Sequence, residues 1–155
     1  MPKVLIVYFS QTGNTEKMAQ FVASGAKEEK VEVELKKVQE TNPEDLLKAD
    51  GVIMGSPTYY GLPASEILKL LDDSVKYHGK LEGKAGGAFA SSANIGGGNE
   101  TTIMAILQAM LIHGMVIRGT SKGDHYGPVS IGVPDKRVEK QCMELGRRVA
   151  RMIFK

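Results

Sequence analysis

Cysteine is almost missing from this chain of 155 residues: Cys142 stands alone, so no intrachain disulfide can form. A reducing cytoplasm is therefore the expected setting. No apolar run approaches the roughly 20 residues that a membrane-spanning helix needs, so no membrane span is expected. The first residues enter an apolar strand pattern at once, with no leader pattern ahead of it. Charge of one sign is also missing. Lys and Arg total 20 against 18 Asp and Glu, a net charge of +2 with the two signs interleaved. Without a basic stripe or a recognisable nucleic-acid motif, nucleic acid is not an expected partner. No His, Cys and carboxylate cluster has metal-ligand spacing, so no metal is expected. Two common nucleotide motifs are absent as well, Gly-x-x-x-x-Gly-Lys-Ser/Thr and a Gly-x-Gly-x-x-Gly after the first apolar run. A phospho-receiver domain would place carboxylates at the end of that run, but Ser10 stands there.

What is present suits one soluble globular domain over 1–155. Apolar residues make up 42% and charged residues 25%, and the length supports a single sizeable core. No linker, repeat or low-complexity segment divides it. Residues 3–9 run apolar without alternation, the pattern of a strand buried on both faces. Met18, Ala19, Phe21, Val22 and Ala26 recur at helical spacing over 15–28. Val31, Val33 and Leu35 alternate with Glu32, Glu34 and Lys36, which predicts a strand near a sheet edge. Asn42 and Pro43 open a short helix.

A third strand is expected at Val52, Ile53 and Met54, ended by Gly55, Ser56 and Pro57. A helix follows over 62–75, with Leu68, Leu71 and Val75 on its stripe. Residues 84–91 form a small-residue strand, and Asn99 caps a helix to about Ile112. A fifth strand begins at 115–117 and resumes at 129–131. The closing helix over 135–154 points Val138, Cys142, Leu145, Val149 and Ile153 inward. Such alternation predicts an α/β doubly wound, three-layer sandwich around a five-stranded parallel sheet.

In such sheets, ligands sit beyond the C-terminal strand ends, where the strand order reverses. Three loops fall at that edge. Ser10, Gln11, Thr12, Gly13, Asn14 and Thr15 follow the first strand and lead into a helix. Hydroxyls, a glycine that permits a tight turn and the unpaired amides of a helix start make an anion cradle. The loop has no Lys or Arg, so neutral dipoles would hold the anion, as suits a bound cofactor more than a phosphate in transfer. Pro57, Thr58, Tyr59, Tyr60 and Gly61 bring two aromatic rings against which a planar ligand could stack. Ser91, Ser92, Ala93, Asn94, Ile95, Gly96 and Gly97 supply an uncharged polar segment. The 123–128 loop can overhang the same edge and add Tyr126 or His125.

These motifs resemble the flavodoxin-like FMN proteins. The 10–15 segment is similar to the flavodoxin phosphate loop. The 55–61, 96–102 and 113–117 segments are similar to tryptophan-repressor-binding-protein-type NAD(P)H:quinone oxidoreductases, a branch of the same fold. The resemblance implies strand order 2-1-3-4-5, with FMN as cofactor at the switch point between the first and third strands. It implies that residues 10–15 hold the FMN phosphate and that 57–61 flank the isoalloxazine. It further implies that 91–97 meet the ribityl chain and pyrimidine edge, with Tyr126 in the distal loop. The flavin itself would carry the redox chemistry, so no side chain is expected to be catalytic.

Two departures bear on the branch. Ile112 precedes His113 where the quinone-reductase branch often has a second histidine. The segment between the fifth-strand halves is cut down to 118–124, which weakens the case for that branch's quinone activity and tetramer. The chain is also mildly basic, whereas electron-carrier flavodoxins are usually acidic. The leading expectation is an electron-transfer protein with a redox partner protein. The alternative is an NAD(P)H:quinone reductase, and a third reading is a binding module that kept the fold without the cofactor. A homo-oligomer is left open by family analogy alone. Cys142 and Arg148 share the Cys-x5-Arg spacing of a phosphatase loop, but Cys142 lies on the apolar stripe of a helix, where a buried structural thiol belongs.

Overall fold

The computed structural model describes residues 1–154. Strand β1 (Lys3–Tyr8) is buried from Val4 to Tyr8, as its unbroken apolar run requires. It leads into helix α1 (Asn14–Lys27), then strand β2 (Glu32–Lys37), a 3-10 turn (Val38–Glu40) and the short helix α2 (Pro43–Lys48). At the start of α2 the Asp45 carboxylate accepts the Asn42 N–H at 2.9 Å. Strand β3 (Gly51–Tyr59) turns into the two-residue strand β4 (Leu62–Pro63), followed by helix α3 (Ser65–Asp73) and a 3-10 turn (Ser74–Tyr77). Strand β5 (Ala85–Ser92), helix α4 (Asn99–Ile112), strands β6 (Val116–Ile117) and β7 (Val129–Ile131) and helix α5 (Lys136–Met152) complete the chain.

The sheet runs β2-β1-β3-β5-β6, with β7 also paired to β5. All these pairings are parallel, and β2 sits at the edge. The expected order 2-1-3-4-5 holds, with the fifth position shared by β6 and β7. The α/β flavodoxin-like sandwich has its three layers. Because strand side chains alternate, β1 sends Leu5 and Val7 to one face and Val4 and Ile6 to the other. The first face packs on Ile67 and Leu70 of α3 and on Ile103, Ile106 and Met110 of α4. The second packs on Met18 and Val22 of α1 and on Val138, Cys142, Leu145 and Val149 of α5.

Helices α1 and α5 cross at glycines. A methyl on Gly146 would lie 2.1 Å from the Val22 carbonyl oxygen, and one on Gly25 would lie 2.0 Å from that of Met143. Only bare Cα positions allow this approach, and it fixes α1, which carries the 10–15 loop at its head. At the outer end, Arg147 of α5 grips Glu28 beyond α1 through Nε–Oε2 at 2.6 Å and Nη2–Oε1 at 3.1 Å.

Four expectations change in detail. Strand β3 does not stop at Pro57 but continues to Tyr59, because Thr58 and Tyr59 pair antiparallel with Pro63 and Leu62. The following helix begins at Ser65, since Leu62 and Pro63 are spent in that pairing. Its buried positions are Ile67 and Leu70, with Leu71 partly buried, while Val75 is exposed. Finally, Gly98, at φ 98°, occupies the cap position of α4, and Asn99 is the first helical residue.

Candidate functional site

Strand β1 delivers the 10–15 loop to the C-terminal edge of the sheet, and the Ser10 hydroxyl organises it. Its oxygen accepts the N–H groups of Gly13 and Glu16, each at 3.2 Å. Ser10 therefore secures two of the amides that a helix start leaves unpaired. The amides of Asn14 and Thr15 have no protein acceptor among the described residues. Gly13 stands at the α1 cap with φ 102°, and no side chain caps the helix there. The positive end of the α1 dipole thus faces a loop with no fixed charge.

The other two loops meet this one. Thr15 Oγ1 and Ser91 Oγ are 2.8 Å apart and buried, which joins the head of α1 to the end of β5. The Tyr59 hydroxyl donates to Gln11 Oε1 at 2.9 Å, which joins the end of β3 to the first loop. Beyond Tyr59 the chain reverses through Tyr60 at φ 52° and Gly61 at φ 77°. Two successive left-handed residues match the twist of a two-residue hairpin. The Thr101 hydroxyl near the start of α4 donates to the Gly61 carbonyl at 2.6 Å. A methyl on Gly98 would lie 2.4 Å from Gly61 Cα, so α4 presses directly on this turn.

Between the three loops lies a cavity of about 440 Å³, inside the range of small-molecule sites. Gln11, Thr12, Asn14 and Thr15 line one part of it, Pro57, Thr58 and Tyr59 another, and Ser91, Ser92 and Ala93 a third. No Lys, Arg, Asp or Glu is among the lining residues. Thr58 Oγ1 is buried and has no hydrogen-bond partner among the described residues. A buried hydroxyl left alone is unfavourable by about 1–3 kcal/mol, which a ligand atom at the cavity wall would relieve. The hydroxyl and amide donors, the neutral helix start and the aromatic wall fit a ligand with an anion at one end and a planar ring at the other.

The remaining expected residues sit around this cavity and not on its wall. Ser10 stands behind the loop, and Gly13 at the head of α1. Tyr60 projects fully into solvent from the hairpin tip, with Gly61 beside it. Asn94, Ile95, Gly96 and Gly97 form a turn closed by Gly97 N–H to Asn94 O at 3.2 Å, and Ile95 is exposed. Tyr126 is exposed and also off the wall. Gly132 lines the cavity without having been expected there, its N–H donating to Ser92 O at 2.9 Å. Its signal was the end of the 129–131 strand, which by the same edge rule had to arrive at the site.

Tyr8 lies just beneath. Burial and the Glu16 carboxylate, which accepts its hydroxyl at 2.9 Å, push its pKa up to about 12. Burial, with Glu66 nearby, also raises Tyr59. Both phenols therefore stay neutral at ordinary pH. The Cys142 thiol is fully buried and burial pushes its pKa far up, so it is inert. His113 stands at the C-terminal cap of α4. It is buried, with Nε2 2.8 Å from Ser74 Oγ and Nδ1 without a partner among the described residues. Burial, then His78, lowers its pKa, so the neutral ring is favoured.

Residues 6–96 match the family model described as flavodoxin. A flavodoxin from Aquifex aeolicus is 43% identical over 162 aligned residues, covering 99% of this chain and 88% of that protein. The chain belongs to the flavodoxin family. An NAD(P)H dehydrogenase (quinone) from Archaeoglobus fulgidus is 33% identical, covering 100% of this chain and 99% of its own. Among solved structures, a WrbA-like flavodoxin from Agrobacterium tumefaciens superposes with a TM-score of 0.82 at 28% identity, covering 99% of this chain and 98% of that one. Flavodoxins bind FMN and pass electrons through it, and the cavity described above has the donor set for that cofactor. Among the described residues, no helix is long and apolar enough to cross a membrane.

Proposed function

We propose that this protein is an FMN-dependent electron carrier of the flavodoxin type, working in a reducing cytoplasm. The observation that carries the reading is the uncharged cavity at the first/third-strand switch point, with the unpartnered Thr58 hydroxyl in its wall. Gln11, Thr12, Asn14 and Thr15, backed by Ser10 and Gly13, would hold the phosphate through neutral donors and the α1 dipole. Thr58 and Tyr59, with Pro57, would hold the ring system. Ser91, Ser92 and Ala93 would meet the chain between them. Tyr60, Gly61, Asn94, Ile95, Gly96, Gly97 and Tyr126 would form the rim.

When bound, FMN supplies reversible one- and two-electron chemistry. The chain's own residues bind it, orient it and limit water around it. No side chain is assigned a proton-transfer step. The absence of cationic side chains on the wall supports a cofactor that stays bound, since its phosphate is not a reacting group.

The carrier reading is supported by full-length similarity to the Aquifex flavodoxin and by the short 118–128 segment, which leaves little structure to form a substrate mouth. The quinone-reductase reading is supported by the Archaeoglobus relative, which aligns from end to end. One set of measurements separates them. Purified protein reconstituted with FMN is expected to be yellow, and Thr58→Val is expected to weaken FMN binding about tenfold while leaving the apoprotein folded. A wild-type protein that stays colourless with added FMN refutes the cofactor reading and favours a bare binding module. Rapid reduction by NADH or NADPH with quinone turnover refutes the carrier reading in favour of the reductase.

A further inference from the structure

A second cavity of about 450 Å³ lies between the 118–122 segment and α5, and none of its lining residues lines the first. Arg148 forms its floor. The residue is only 8% exposed, yet among the described residues its guanidinium has no carboxylate within salt-bridge distance. Its one hydrogen bond among the described residues runs from Nε to the Arg118 carbonyl at 3.2 Å. The terminal nitrogens carry no hydrogen bond among the described residues, and the residue lines the hollow. Arginine keeps its charge when buried, so it cannot escape the cost of desolvation by losing a proton. A largely buried cation without a carboxylate beside it favours an anion that meets its open nitrogens.

Glu144, one turn earlier in α5, attracts the Arg148 charge without reaching salt-bridge distance. Glu144 is the one carboxylate on the wall, and it faces Arg147 at 3.5 Å. Arg151 is paired with Glu29 at 2.9 Å. Arg118 and Lys122 line the cavity and have no carboxylate partner among the described residues. Arg118, Lys122 and Arg148 thus outnumber the single carboxylate around one polar hollow, with Ser121 beside them.

We propose that this hollow is a second anion site, which takes a phosphoryl group or another tetrahedral dianion of similar size. The Arg148 fork forms the fixed contact, since guanidinium geometry matches two oxygens at once. Arg118 and Lys122 close over the remaining oxygens from the 118–122 segment. This differs in kind from the cavity at the strand ends, which is free of cationic side chains and holds its anion through dipoles.

The test is a backbone and arginine-side-chain NMR titration of the purified protein, with and without added FMN. The probes are orthophosphate, pyrophosphate, sulfate, acetate and chloride at matched ionic strength. Orthophosphate or pyrophosphate is expected to give saturable shifts at Gly119, Thr120, Ser121, Lys122 and Arg148 Nε–H, whether or not FMN is present. Arg148→Lys keeps the charge but removes the fork, and is expected to weaken phosphate binding about tenfold. Arg118→Gln changes an exposed residue that should not disturb folding, and is expected to weaken binding several-fold. The site is refuted if the shifts do not saturate, if chloride or acetate matches phosphate, if only residues 10–15 respond, or if both variants bind as the parent does. Sulfate binding equal to phosphate is expected from a site that reads charge and tetrahedral shape.

Discussion

Gly98 is the point at which helix α4 fixes the hairpin that carries Tyr59, and replacing it with alanine measures that contact. Two costs arise. At φ 98° an alanine is strained, by about 1–2 kcal/mol. Its methyl would also lie 2.4 Å from Gly61 Cα, about 1 Å inside ordinary contact, so helix and turn must separate. Overpacking of this kind costs about 1–3 kcal/mol. The separation stretches the 2.6 Å bond from Thr101 to Gly61 O, worth about 1 kcal/mol. The total is about 3–6 kcal/mol, a large part of the roughly 5–15 kcal/mol that stabilises a typical domain. Gly96→Ala is the control, because Gly96 has φ 69° in the same loop but nothing within 4 Å of an added methyl. It is expected to cost only the strain, about 1 kcal/mol. Urea unfolding of both variants reads the difference directly, and FMN titration of Gly98→Ala is expected to show weaker binding because Tyr59 moves with the hairpin. Equal midpoints for the two variants would refute the claim that α4 presses on the turn.

Two further outcomes follow from buried groups. His113 is held below its ordinary pKa by burial and by His78, so the unfolded chain binds its proton first. Stability from this group is intact above about pH 6.5 and is lost as pH falls toward the lower folded value. His113→Gln is expected to flatten that acid-side fall in unfolding free energy, and an unchanged slope would exclude His113 as its source. Gly146→Ala would push a methyl against Val22 O and Ala26 N, 2.1 and 2.7 Å away. It is expected to lower stability by about 3 kcal/mol, whereas Gly79→Ala, with no atom near its added methyl, pays only backbone strain; equal melting points would sink that packing argument.

The sheet and its layers were legible because hydrophobic period is a local signal that long-range packing here reinforces, whereas the strand order followed from the resemblance to flavodoxin-like proteins. The run from Val4 to Tyr8 could only be central, and the alternation from Val31 to Leu35 could only be near an edge. Ser10, Thr15, Thr58 and Ser91 were legible for a related reason, since the edge rule brings the ends of successive parallel strands together. What stayed hidden depended on pairings between distant residues. The extension of β3 to Tyr59 needs Leu62 and Pro63 as partners, and Pro57 reads as a stop signal without them. The helix phase at Val75 slipped because three leucines lie close together and either neighbouring stripe fits. The buried state of His113 depends on Ser74 and His78, 39 and 35 positions earlier in the chain. Arg148 gave no sign of burial, because a long cationic side chain near a helix end reads as solvated.

The division of the fifth strand has a consequence for how the folded molecule meets its neighbours. A parallel sheet has two borders, and a long bare border can recruit another chain by main-chain bonding. One border here is β2, where Glu32, Glu34, Lys36 and Lys37 present alternating charges, with Lys3 and Asp45 paired to them. The other is interrupted: β6 holds two residues, β7 holds three, and the 118–128 excursion stands between them. Charge along one border and interruption of the other both work against a foreign strand adding itself to the sheet.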